Sequence, residues 1–177
     1  FGTYLHLGGT NGFVWLRGLD VSATGDVAVS GMLSGNNTFP VLIGIPGQSC
    51  EMNLAESENS DGFVALFSSA GTLAFSSCLG GDLRDGSSRE GLRGVTFGQD
   101  GDLYVIGYSS MTDFPVVNPV QATKNLAGAR EMTISRIDPD TGALVFSTWF
   151  GPTQPGFPPI GEEYYDVPIN FWPYDVA

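Results

Sequence analysis

Basic and reactive residues are scarce: against 19 acids the chain sets 7 lysines and arginines, one histidine and two cysteines. The resulting net charge of −12 repels a polyanion, so nucleic acid is excluded as a partner unless the few cations gather in one patch. With a single histidine, a histidine triad or a multi-histidine metal site would need a nucleophile or further ligands beside His6. That residue stands between Leu5 and Leu7 on an alternating stretch and reads as structural. No apolar run approaches the roughly 20 residues of a membrane-spanning helix, and no basic segment leads into a hydrophobic one at the N-terminus. If the protein is exported, its signal lies outside this stretch. The two cysteines, Cys50 and Cys78, permit one disulfide in an oxidising compartment or two buried thiols in a reducing one.

Glycine and proline are plentiful instead. The 25 glycines and 11 prolines among 177 residues point to many turns and little helix, and a hydrophobic fraction of 42% is enough for a packed core. The chain length suits one domain of the all-β class.

The strongest signal is internal repetition. Arg93 to Val116 restates Arg17 to Val41: Gly94-Val95-Thr96-Phe97 falls on Gly18-Leu19-Asp20-Val21, and Gly101 to Gly107 on Gly25 to Gly31, at a constant offset of 76. After one deletion Asp113-Phe114-Pro115-Val116 falls on Thr38-Phe39-Pro40-Val41. A repeat of this size is one supersecondary unit packed on its neighbours.

Read in order, 1–9 (FGTYLHLGG) is a strand ending in a glycine turn, echoed by Phe75 to Gly81 and Phe146 to Gly151. Phe13 to Ser22 and Asp26 to Leu33 are strands joined at Thr24-Gly25-Asp26, where glycine supplies a positive φ. Residues 39–61, with two prolines and an acidic run, read as a long surface loop. Gly62 to Phe67 and Leu73 to Leu79 form a hairpin, repeated by Met132 to Ile137 and Ala143 to Phe150. Four antiparallel strands in a meander, recurring without helices, describe a β-propeller blade. The expected organisation is therefore the last strand of a preceding blade (1–9), a first blade (10–81) and a second blade (82–151). A proline-rich loop with the first strand of a further blade follows (152–177), where Phe171 to Ala177 echoes Trp15 to Val21. On this reading the chain is part of a larger propeller completed by more chain or by other copies.

The residues Leu79-Gly80-Gly81, Gly94 to Val116 and Gly142 to Gly151 resemble the bacterial seven-bladed β-propeller family known as SBBP repeats. The most specific part is Tyr104 to Ser110 with Asp113-Phe114-Pro115; the first copy departs from it, with Ala28 for Tyr104 and Thr38 for Asp113. The resemblance implies an exported or surface-anchored scaffold and brings no shared catalytic residues, and fold alone fixes no function.

Candidate chemistry is thin. Asp100 with Asp102 and Asp138 with Asp140 look like fragments of calcium loops, but they lack the spaced glutamate and sit where hairpin turns belong. Glu162, Glu163 and Asp166 lie near Trp172 and several tyrosines, a composition found in sugar-binding or glycosidase clefts and equally in the core stripe and approach loop of a further blade. No cofactor is implied. The leading expectation is a non-enzymatic extracellular or cell-surface scaffold acting in assembly or adhesion; the rival is a carbohydrate-binding or carbohydrate-active propeller.

Overall fold

The computed structural model describes residue 2 and residues 8–50, 60–81, 89–125 and 130–151. Among them there is no helix. Eight strands follow in order: β1 Gly8–Val21, β2 Val27–Thr38, β3 Ser60–Phe67, β4 Leu73–Leu79, β5 Glu90–Phe97, β6 Leu103–Ser109, β7 Glu131–Ile137 and β8 Leu144–Phe150. They form two four-stranded antiparallel meanders, β1-β2-β3-β4 and β5-β6-β7-β8.

All four hairpins turn on a glycine with positive φ: Gly25, Gly71, Gly101 and Gly142, at 86°, 86°, 89° and 74°. Each adopts a conformation that would cost another L-residue strain. The two sheets also share irregularities. Register shifts between Leu16 and Gly18 in β1, and again between Leu92 and Gly94 in β5, so Arg17 and Arg93 are equivalent bulges. Opposite these bulges stand Gly31 and Gly107, where a Cβ would collide with the carbonyl oxygens of Trp15 and Gly91. Gly31→Ala and Gly107→Ala are therefore each expected to cost about 2–4 kcal/mol, seen as an earlier denaturant midpoint, because backbone rather than a movable side chain is in the way.

One expectation needs correcting and another sharpening. Gly8 and Gly9 make no turn: they continue β1 and pair with Thr38 and Asn37, so the first hairpin is longer than its repeat partner. Residues 39–50 are an irregular, largely exposed segment, as a loop should be, but one pinned to β4 rather than free. Leu42 forms an antiparallel bridge with Ser76, and Phe39, Ile45 and Cys50 are buried. The second repeat does the same with Val117 on Ser147. In both, a serine of the fourth strand donates to a proline carbonyl, Ser76 to Pro40 at 2.5 Å and Ser147 to Pro115 at 2.7 Å. The Phe-Pro-Val motif thus lays the chain along the outer edge strand and covers an edge that would otherwise invite pairing.

The sheets pack face to face through β5, which lies against β1, β2 and β3. Ala28, Val64, Phe75 and Leu79 of the first sheet share one core cluster with Leu92, Val95, Leu103, Val105, Ile137 and Trp149 of the second. A second cluster, on the other face of the first sheet, includes Val29, Leu33, Phe63, Ala65 and Cys78 with Phe39 and Cys50. Gly18 permits the close approach: a Cβ there would lie 2.8 Å from the Cα of Gly94, its own repeat equivalent.

Candidate functional site

The chemically distinctive spot is a buried carboxylate at the joint between the sheets. Ser60, at the start of β3, makes a parallel bridge with Arg89 just before β5. Its hydroxyl donates to the Glu90 carbonyl at 2.9 Å and accepts from the Glu90 N–H at 3.2 Å. This anchors Glu90 with its side chain inside, only 1% exposed. The Gly81 N–H donates to both carboxyl oxygens, at 2.9 and 2.8 Å, and the Ser109 hydroxyl donates to Oε1. Gly80 leaves room for this group, since a Cβ there would meet the Glu90 carboxyl unless that side chain shifted.

Burial, opposed in part by the Ser109 and Gly81 donors and reinforced by the negative charges of Asp61 and Asp113, pushes the Glu90 carboxyl from 4.5 up to about 8. Burial thus favours the protonated, neutral form of this carboxyl well above the usual carboxylate range. A raised carboxyl is a common mark of a general acid, yet such an acid has to reach a substrate. Glu90 is sealed by Gly80, Gly81, Ser109 and the neighbouring sheet. An open depression of about 220 Å³ lies elsewhere, lined by Leu16, Arg17, Gly18, Leu19 and Val29. It offers one charged side chain and no nucleophile or base.

A second polar joint is Asp20, the last acid of β1. It accepts from the Phe97 N–H at 2.8 Å and the Thr96 hydroxyl at 2.9 Å, tying the first sheet to the end of β5. Partial burial acts to raise its carboxyl, but the donors Phe97, Thr96 and Val21 together outweigh it and the net direction is downward.

The acids singled out as calcium candidates have other partners. Asp100 and Asp102 each bind Arg136 at 2.5 Å, one on Nη2 and the other on Nε. Asp138 closes its own turn, accepting from the Asp140 N–H at 2.9 Å and from the Thr141 hydroxyl at 2.6 Å. Asp140 enters that turn through its backbone. Among the described residues no group of three or more His, Cys, Asp or Glu is placed to hold a metal ion. Glu162, Glu163, Asp166, Trp172 and His6 lie outside the described residues. Cys50 and Cys78 are bonded, with Cα atoms 5.3 Å apart, fastening residues 39–50 to β4.

Glu90 escaped the sequence reading because the repeat was traced only from Arg93. The offset of 76 sets Glu90 against Val14, and its place two before Leu92, an acid in an apolar alternation, is the signal for a buried carboxyl. No protein-family model matches the chain, and no curated protein matches it either. Among the described residues no helix is long and apolar enough to cross a membrane.

Proposed function

We propose that this chain is a non-enzymatic, extracellular or cell-surface scaffold whose two sheets are adjacent blades of a β-propeller. The observation that carries the reading is contact between repeat equivalents. Gly18 meets Gly94, and the Tyr108 hydroxyl reaches the Met32 sulfur at 3.4 Å, across 76 residues in each case. Equivalent points of a rotational repeat come closest near the rotation axis, so the first two strands of each sheet would sit innermost and the loop-covered β4 and β8 outermost. The SBBP-like motif, the acidic surface and the Cys50–Cys78 disulfide, a bond that persists in oxidising compartments, agree with this reading. The sealed Glu90 then serves structure rather than turnover.

Two assays test the proposal. Protein isolated from its native source should give no thiol titration when denatured without reductant; two free thiols would count against the extracellular assignment. Screening against glycosides, esters and a glycan array should give neither turnover nor binding, and turnover that disappears in Glu90→Gln would replace the scaffold with an enzyme.

A further inference from the structure

The two repeats differ most in which of their equivalent residues are covered. Val95 and Leu92 of β5 are 8% and 2% exposed because the first sheet lies on them. Their equivalents in β1, Leu19 and Leu16, are 67% and 64% exposed, with Val21 at 53% beside them. On the opposite side of the molecule the relation reverses. Phe75 and Leu79, buried at 0% and 1% beneath the second sheet, correspond to Phe146 and Phe150 of β8. Phe146 is only half-buried and Phe150 is 60% exposed. Tyr104, at 36%, likewise stands where the first sheet has the fully buried Ala28. The β1 strip therefore exposes part of the face with which a sheet covers its predecessor, the rest of that face being packed with Phe39 and Cys50, while β6 and β8 expose positions by which a sheet accepts its successor.

We propose that these two ends are complementary: the β1 strip of Leu16, Leu19 and Val21 packs on the Tyr104, Phe146 and Phe150 face of another copy of this chain, head to tail. The occupant is argued from the molecule itself, since the joint between its two sheets is the same pairing of faces made within one chain. Such an interface is heterologous. Each molecule uses two different surfaces, so assembly goes on until a ring closes or a filament grows. The proposal rests on the repeat-scaffold reading and adds its partner and polarity.

Sedimentation and light scattering of the whole chain test it. The wild type should increase in mass with concentration up to about 0.5 mM, the weak end of specific association. Leu19→Asp and Phe150→Asp should each be monomeric alone, because each retains one live face. Mixed in equal amounts they should form a dimer and nothing larger, as the live faces pair once and the charged ones stop growth. Circular dichroism checks folding, and Leu16→Asp with Tyr104→Asp provides a second pair if either variant unfolds. A wild type that stays monomeric, a single variant that assembles as the wild type does, or variants that fail to pair would overturn the proposal. None of these outcomes touches the enzymatic screen, so the scaffold reading would fall or stand separately.

Discussion

Glu90→Gln should make the protein more stable at pH 8 while changing it little at pH 4, flattening the dependence of melting temperature on pH. The sign follows from the raised carboxyl. With a folded value of about 8 against 4.5 for the ordinary group, the native state keeps a proton that the unfolded chain releases between those limits. The stabilisation is complete below about 4.5 and is lost as the pH climbs to about 8, each unit of difference being worth about 1.4 kcal/mol. Glutamine is neutral throughout and keeps an oxygen for the Gly81 N–H and the Ser109 hydroxyl. Glu90→Ala is a different perturbation: it strands both donors and opens a void, so it should cost about 2–4 kcal/mol even at pH 4. Thermal unfolding followed by circular dichroism at pH 4, 6 and 8 distinguishes the cases. Parallel pH profiles for wild type and Glu90→Gln would mean that the carboxyl is not held neutral by the fold.

That carboxyl also marks where the sequence stopped being readable. Strands β3, β4, β7 and β8 could be bounded within a residue or two, because each is short, alternating and closed by a turn whose glycine takes a positive φ as a local demand. The offset of 76 carried the hairpin of the first copy onto the second, including the bulges at Arg17 and Arg93, though nothing in either arginine announces a bulge. What failed depends on tertiary partners. Gly8-Gly9 looks like a turn by composition and becomes strand by pairing with Asn37 and Thr38. Phe39 to Cys50 looks like a loop by proline and glycine, and docks because Phe39 finds Phe63 and Leu42 finds the free edge at Ser76. The candidate acids show the same limit: Asp100 and Asp102 are turn residues by sequence, and only the fold brings Arg136, more than 30 residues away, between them.

Trp149→Ala should be the most damaging single truncation, at about 3–5 kcal/mol and a melting temperature lower by about 10 °C. The comparison of repeats explains why this one side chain matters. In the first sheet Phe63 on β3 faces Cys78 on β4; at the equivalent pair in the second sheet, Thr133 faces Trp149. The bulky ring has moved across the ladder from the third strand to the fourth. The anchoring phenylalanine follows it: Phe39 packs on Phe63 with centroids 5.2 Å apart, whereas Phe114 packs edge-on against Trp149 at 5.4 Å. With β3 holding the ring in the first repeat, the small residue opposite is free to be a cysteine, and Cys78 bonds to Cys50 across a separation of 28 residues. Replacing both cysteines with alanine should cost about 3–4 kcal/mol, the loop-closure entropy of such a span. Trp149 and the disulfide belong to different core clusters, so their losses should sum to within about 0.5 kcal/mol in the triple variant. Equilibrium urea unfolding of the wild type and the three variants measures this. A triple variant markedly more stable than the sum would show that the two anchors depend on each other, and that the repeats did not solve the same packing problem independently.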